Sequence, residues 1–587
     1  MKIGRFNVSR KLVALSLGIS LVGLNAHAES PREICEQFLD GNKGQQLQFV
    51  EVYFRGKDSE LREVDLPVKS VDDCISAITS IHTVDGSSLP DMNGIDESDI
   101  AVRAGHASFG VMPEGRRPYK TMYIVGGVLN SDEKGFAPYT DIQKLESEIV
   151  NDESDTVDAV TAQRLAALSK VAKEEYGIKT GKYAPVLDKV AAKIADGSLG
   201  FQGKAMIGPE LEFFFMKADG SPVDSRTAGN AVDYYGHIPA DMKAMMQFIL
   251  QKISEYGVVT EKFHHEVAPG QYEIPLKVTD AVSQAKNLRT TIAVVERVAK
   301  EFGLSVNWDP KPFIRENGSG MHMHFSITSN EGKNLFARVN HDPSYEGTCG
   351  IYSSVADQFF SGLLSQVKSL QVFSNPLPNS EVRLGKNEAP AQIAMSVGNR
   401  TSVIRLPIKG MGTNKGVRGE KRSPDAMSEF ELTIADLVAS GLYGITNKMA
   451  ATPLSKGNAY EMNITEEMKL AGTFAAVIKN FMSGRKERMA KDPSNIIDQV
   501  FDTKTVRSYL ADRLELVKSD AAPILDVAAA YADVKSVESA TVVDKKVKTI
   551  RDRVTAIEKI TGPAAKAEAI AALESAIAEL DQEMASK

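Results

Sequence analysis

The sequence predicts an α+β fold whose strands are gathered in two separate stretches. Three observations carry this: period-two alternation near the N-terminus and again in mid-chain, an Ala/Lys/Glu-rich helical pattern between them, and a helical pattern toward the C-terminus. At 587 residues the chain has room for about three or four domains of roughly 150 residues each.

Residues 1–28 have the layout of a secretory signal peptide. Lys2, Arg5, Arg10 and Lys11 come without an acid, Leu12 to Leu24 is apolar, and Ala26 and Ala28 flank His27 as small residues at a cleavage point. The apolar run is shorter than the roughly 20 residues of a spanning helix, so no stable membrane span is expected. The chain is expected to be exported to a periplasmic compartment, with the cytoplasm as the alternative. After export Cys35 and Cys74 are free to pair, which leaves Cys349 single.

Residues 46–140 read as a small mixed domain, in which LQFVEVYF alternates and TMYIVGGVL is a short apolar run. Residues 141–204 read as a helical connector, as in AQRLAALSKVAKEEYGI, with few strand formers. In residues 205–463 strand-like runs return, each carrying charged residues, with helices such as AVSQAKNLRTTIAVVERVAKEFG between them. Residues 464–587 read as helical, broken at Gly562-Pro563. Without sustained apolar heptads this region is a packing or assembly element and not a coiled-coil partner site.

Composition narrows the chemistry. With 43% hydrophobic and 25% charged residues the chain is an ordinary globular protein, and a net charge of -8 argues against nucleic acid as a partner. Three widely spaced cysteines exclude a disulfide-rich scaffold and a cysteine zinc site, so any metal must take oxygen and imidazole ligands.

The middle stretch supplies such ligands. Glu210 and Glu212 in IGPELEFFF, His322 and His324 in GSGMHMHFSI, and Glu420 and Arg422 in RGEKRSPD are spaced i and i+2, which on a strand is one face. Glu266 and Glu273 add two acids around a turn containing Pro269 and Gly270. So many carboxylates on one face repel unless cations lie among them, and oxygen donors with one or two histidines suit Mg²⁺ or Mn²⁺ better than zinc. Arg383, Arg400, Arg405, Arg418 and Arg422 are scattered among apolar residues and read as clamps for phosphate or carboxylate. Acids and arginines together point to metal-assisted phosphoryl transfer, and the absence of a GxxxxGK[ST] loop excludes a P-loop enzyme.

In their order along the chain, DGSSLPDMNGIDESD (85–99), IGPELEFFF, HHEVAPGQYEI, NGSGMHMHFS, RLGKNEAPAQIAMS, NRTSVIRLP and RGEKRSPD resemble the motifs of the glutamine synthetase family, over roughly Gln46 to Tyr460. The resemblance implies a small N-terminal β-grasp domain and a larger catalytic domain on a curved antiparallel sheet with flanking helices. It implies ATP-dependent formation of glutamine from glutamate and ammonia through γ-glutamyl phosphate, with two divalent metals. By this resemblance Glu212, Glu266 and Glu273 hold the metal nearer glutamate, and Glu210, His322 and Glu420 the metal nearer the ATP phosphates. Arg400 and Arg405 stabilise the transferring phosphoryl group, Lys415 and Arg418 bind ATP phosphates, and Glu261, His324 and Ser326 line the nucleotide site. Arg383 and Arg422 bind the glutamate carboxylates with Asn317 and Gly318 at its amino-acid end. Asp85 and Ser88 bind ammonium, and Glu388, on a flap that closes over the intermediate, accepts its proton.

The family places the loop bearing Asp85 on a neighbouring subunit, which implies a homo-oligomer of stacked hexameric rings. The flap reads Arg383-Leu-Gly-Lys-Asn-Glu388, without the aromatic residue common before the glutamate. Tyr460 in NAYEM reads as a surface tyrosine in a loop. Two other functions fit the same motifs: a γ-glutamyl ligase for amines or polyamines, and an exported non-catalytic relative that binds glutamate or a nucleotide.

Overall fold

Two sheets organise the chain, and the segments between them decide which residues meet. The computed structural model describes residues 30–40, 46–55, 60–89, 95, 98–113, 116–129, 148–152, 155–179, 181–225, 234–407, 416–517 and the positions 552, 553, 556 and 572. The leader at 1–28, Lys415 and Gly562-Pro563 lie outside the described residues.

The small sheet has the strand order β2-β1-β5-β4-β3, from β1 (Gln48–Arg55), β2 (Leu61–Val68), β3 (Ile81–Asp85), β4 (Asp99–Val111) and β5 (Thr121–Leu129). Only β1 and β5 run parallel. Helices α1 (Pro31–Leu39) and α2 (Val71–Thr79) pack together and are joined by a Cys35–Cys74 disulfide. The start of α2 is set by a capping box in which Ser70 Oγ accepts from the Asp73 amide and the Asp73 carboxylate accepts from the Ser70 amide. This helix leads into β3, whose last residue is Asp85.

Helices α3 (Ala159–Leu168) and α4 (Ala184–Ala195) fall in the stretch expected to be a helical connector. The large sheet runs β12-β13-β14-β11-β6-β8-β7. Its strands are β6 (Gly203–Met216), β7 (His264–His265), β8 (Gln271–Pro275), β11 (Met321–Ser329), β12 (Gln392–Val397), β13 (Ser402–Leu406) and β14 (Gly419–Lys421), with β9 (Thr279–Asp280) and β10 (Ser305–Asn307) pairing along β6. The sheet is mixed and not wholly antiparallel, because residues 398–401 carry the chain back and start β13 beside the start of β12. Long helices α5 (Ala240–Glu255), α6 (Ala281–Glu301), α7 (Ser354–Gln366) and α9 (Phe430–Thr446) flank it, and the short helix α8 (Pro378–Arg383) ends at the flap.

Helices α10 (Phe474–Lys491), α11 (Ile496–Val500) and α12 (Thr503–Val517) close the described chain. Phe474, Val477, Phe481, Ile497 and Tyr509 on these helices, with Phe501 just after α11, join the same buried core as β6 and α9. Among the described residues no helix is long and apolar enough to cross a membrane.

The small sheet is fixed against the large one by paired backbone and buried charge. Glu63 N donates to Tyr235 O at 2.8 Å, and Asp65 and Phe263 exchange both backbone hydrogen bonds. Lys243 of α5, fully buried, lies 2.8 Å from Glu63 and 3.5 Å from Glu51, and Glu51 also pairs with Arg117 at 2.7 Å. Breaking one partner of such a buried set leaves an uncompensated charge, so the contact has little tolerance for sliding.

Candidate active site

Strand register builds the site as three cross-strand rows. Arg405 of β13 faces Glu420 of β14, which faces His324 of β11. His322 faces Glu210 of β6. Glu212 faces Glu273 of β8, which faces His264 of β7. Residues directly opposite across a pair have Cβ atoms about 4.5–5.5 Å apart, so rows of acids and histidines on one face must interact.

They do so closely. Glu210 bridges both histidines, with Oε1 2.9 Å from His324 Nε2 and Oε2 3.2 Å from His322 Nδ1. His322 Nδ1 is also 3.6 Å from Glu212 and 3.9 Å from Glu420. Glu273 Oε1 lies 3.0 Å from His264 Nε2, and Glu212 Oε2 accepts from the Gly320 amide at 2.8 Å and from Gln271 Nε2 at 3.2 Å.

Arginines stand among the acids. Arg422 donates to Glu420 at 2.7 Å, to Glu388 O at 3.0 Å and to Arg400 O at 3.3 Å, and Arg405 pairs with the other oxygen of Glu420. Arg383 donates to the backbone oxygens of Ser423 and Arg422, and Arg418 Nε donates to His324 Nδ1 at 3.1 Å. Most of these side chains, with Glu261, Asn317, Gly318, Ser326 and Glu388, line one cavity of about 1180 Å³, while Glu420 and His264 are buried and do not line it.

The loop after β3 closes one corner. Asp85 Oδ1 is 3.1 Å from Arg400 Nε, which also donates to Ser98 Oγ at 3.0 Å. Ser88 Oγ is 2.7 Å from Asp85 Oδ2 and 2.5 Å from Glu388 Oε1. A hydroxyl has one hydrogen to give, so two short contacts to carboxyls require that one carboxyl carries a proton. Electrostatics assigns it to Glu388. Burial and then the Asp85 charge push Glu388 up to about 7. Burial also opposes ionisation of Asp85, but Arg400 and the bonds from Ser87 and Ser88 outweigh it and hold that carboxyl below its ordinary value.

This corner is formed with the chain's own small sheet, where the resemblance implied a neighbouring subunit; residues 130–147, which connect the two, lie outside the described residues. Glu388 and Asn387 have φ of 67° and 48°, a backbone region that costs a non-glycine residue of order 1 kcal/mol and persists where surroundings enforce it. Part of that enforcement comes from Tyr460, whose hydroxyl donates to Ala389 O at 2.5 Å. The expected free surface tyrosine is thus half-buried and tied to the flap.

Two groups among the described residues have ligand atoms within 4.8 Å of one another: Glu210, His324 and Glu420, and His264, Glu266 and Glu273. Both differ from the sets implied by resemblance. His324 joins Glu210 and Glu420, while His322 Nδ1 stays 3.2 Å from Glu210 and 3.9 Å from Glu420; His264 joins Glu273 through strand register, with Glu212 on the other side of Glu273. The donors fit a hard divalent ion, being mostly carboxylate oxygen. Space fits as well: a Cβ on Gly320 would come within 2.6 Å of Arg383 Nη2, 2.8 Å of His322 Nε2 and 3.1 Å of Glu212 Oε1, so only glycine leaves this cradle open.

Residues 185–521, more than half of the chain, match the family described as glutamine synthetase, catalytic domain. The chain belongs to the glutamine synthetase family. It is 28% identical to a glutamine synthetase of Methanocaldococcus jannaschii over 444 residues, covering 74% of this chain and 85% of that protein. It is 35% identical to one of Thermus thermophilus over 303 residues, or 50% of this chain and 63% of that protein, so the match spans less than two thirds of the relative. Among solved structures, one described as apo GmaS without ligand is 21% identical with a TM-score of 0.48 over 83% of this chain and 96% of that one. A Plasmodium falciparum glutamine synthetase is 18% identical with a TM-score of 0.46 over 84% and 96%. Glutamine synthetases use ATP and divalent metals, and the two carboxylate groups above are this chain's candidates for holding them.

Among the metal-free acids of this glutamine synthetase family member, Glu212 and Glu273 are pushed toward the protonated form, whereas Glu210 and Glu420 are shifted the other way. Glu212 is pushed up to about 7 by burial and then Glu273, and Glu273 up to about 8 by burial and then Glu210. Unfolded, both titrate near 4.5. Between that value and about 8 the folded chain therefore binds more protons than the unfolded one, so these groups make stability fall as pH rises through that window. A cation replaces those protons and binds more tightly at higher pH. Thermal melts should show Mg²⁺ or Mn²⁺ raising Tm more at about pH 8 than at about pH 6. An equal shift at both would remove these acids as metal ligands.

Proposed function

We propose that the protein is an ATP-dependent ligase that makes glutamine from glutamate and ammonia through γ-glutamyl phosphate. One observation carries the reading: carboxylates, histidines and arginines line a single cavity, and Glu388, which also lines it, is hydrogen-bonded through Ser88 to Asp85. The γ-phosphoryl group of ATP passes to the side-chain carboxylate of glutamate with loss of ADP, ammonia attacks the acyl carbon, and phosphate leaves. Arg383 and Arg422 hold glutamate carboxylates, and Arg400 and Arg405 stabilise charge on the phosphoryl group, a large electrostatic contribution when the donors are fixed in advance. Asp85 offers a buried negative charge to ammonium, and Glu388, once ionised, takes its proton. Two Mg²⁺ or Mn²⁺ ions in the carboxylate groups would neutralise phosphate charge when bound.

The test is product formation by the chain lacking residues 1–28, with glutamate, ATP, Mg²⁺ and either ammonium or methylamine. Glutamine formation should be preferred by at least about tenfold in kcat/KM. Preference for methylamine would replace this reading with an amine ligase. No product from either would leave a non-catalytic glutamate- or nucleotide-binding protein.

Export remains part of the proposal. It is supported by the leader's layout and by the pairing of Cys35 with Cys74, since disulfides persist in oxidising compartments. Cell fractionation with N-terminal sequencing should find a chain beginning close to Ala28; an intact Met1 in the cytoplasm would overturn it. A homo-oligomer of stacked hexameric rings is supported by family membership alone and is read directly by sedimentation.

A further inference from the structure

Lys262 stands among the acids of the cavity, where no motif gives it a role. Lys262, His264 and Glu266 follow one another at two-residue spacing, while Phe263 between them is fully buried in the core. The Lys262 ammonium donates to the hydroxyl of Tyr235 and lies 5.0 Å from the centre of its ring. Tyr235 is itself fully buried and stacks on His264 at 4.1 Å and 21°. His264 is in turn hydrogen-bonded to Glu273. The lysine is therefore held in place by a rigid aromatic pair and is not a solvent-facing charge.

Lys262 lines the cavity together with Glu210, Glu273, Thr260 and Glu261, and with Arg400, Arg405 and Arg418. A polyphosphate in this cavity meets the arginines, while the carboxylates repel it wherever no cation intervenes.

We propose that Lys262 binds a far phosphate of the nucleotide, as a fixed charge beside the candidate metal-binding carboxylates. This rests on the reading that the cavity takes a nucleoside triphosphate. It adds to that reading a contact the family motifs do not contain.

The test measures binding and not turnover. The full chain and its Lys262→Gln, Lys262→Met and Lys262→Arg variants are titrated with a non-hydrolysable ATP analogue and with AMP at saturating Mg²⁺. Both neutral variants should bind the analogue roughly tenfold more weakly while AMP affinity stays within about twofold, and Lys262→Arg should stay close to the parent. Equal loss for analogue and AMP, or no loss for either, overturns the assignment, as does failure of the parent chain to bind the analogue. A parent that binds the analogue in this pattern yet makes no amide product sinks the ligase reading and leaves the phosphate contact standing.

Discussion

Glu420→Ala is expected to abolish glutamine formation, lowering kcat by on the order of 10³-fold or more. Glu420 is fully buried, pairs with both Arg405 and Arg422, and shares the cluster of Glu210 and His324. Burial opposes its ionisation, but Arg405 and Arg422 outweigh that and keep it a carboxylate. Removing it deletes a candidate metal ligand and sets two buried guanidinium groups beside each other without their anion. Such a change costs about 3–5 kcal/mol of stability. Glu420→Gln separates the two effects, since the amide keeps the shape and loses the charge. It should retain more of the stability and still lose turnover. A near-parental kcat in Glu420→Gln, from steady-state glutamine formation, would remove this residue from the phosphoryl-transfer machinery.

Asp85→Asn should lower kcat/KM for ammonium by on the order of 10²–10³-fold while changing KM for ATP little. The residue is fully buried, and its contacts are to Arg400, Ser87 and Ser88, away from the carboxylate clusters. The pH profile gives a second readout. If Glu388 accepts the proton from ammonium, activity rises as Glu388 ionises near its value of about 7. The Asp85 charge helps hold that value up, so neutralising it moves the acid limb to lower pH. An unchanged ammonium dependence with an unshifted acid limb would place the ammonium site elsewhere.

Much of the acid cluster was legible because a strand has a fixed period of two. Glu210 with Glu212 on β6, and His322 with His324 on β11, fall on one face wherever those strands pair. The turn at Pro269-Gly270 returned Glu273 toward Glu266 for the same local reason, with Gly270 at φ 70°. That Arg383, Arg405 and Arg422 have partners inside the fold was legible, because arginines scattered through apolar sequence are seldom buried alone; Arg405 and Arg422 pair with Glu420, and Arg383 donates to backbone oxygens.

What the residues of one segment cannot report is the register against another. His264 was written in the HHE motif but became a candidate ligand only when β7 paired with β8 and set it opposite Glu273. Lys262 follows from the same pairing. The parallel entry of β13 beside β12 depended on a backbone return at residues 398–401 that alternation does not encode. Tyr460 looked like a loop residue because its acceptor, the Ala389 carbonyl, lies on the distant flap.

By itself, then, the sequence determined the α+β class, the faces on which acids and histidines stand, and the family, because these rest on local periodicity and on motifs. Only the tertiary structure decided that Ser88 lies between Asp85 and Glu388, that Arg400 answers Asp85, and that His324 and His264 join the carboxylates. The contacts of Ser88 with Glu388 and of Asp85 with Arg400 join residues about three hundred positions apart. Their partners are chosen by how two sheets pack and register, a collective outcome of burial that no single segment contains.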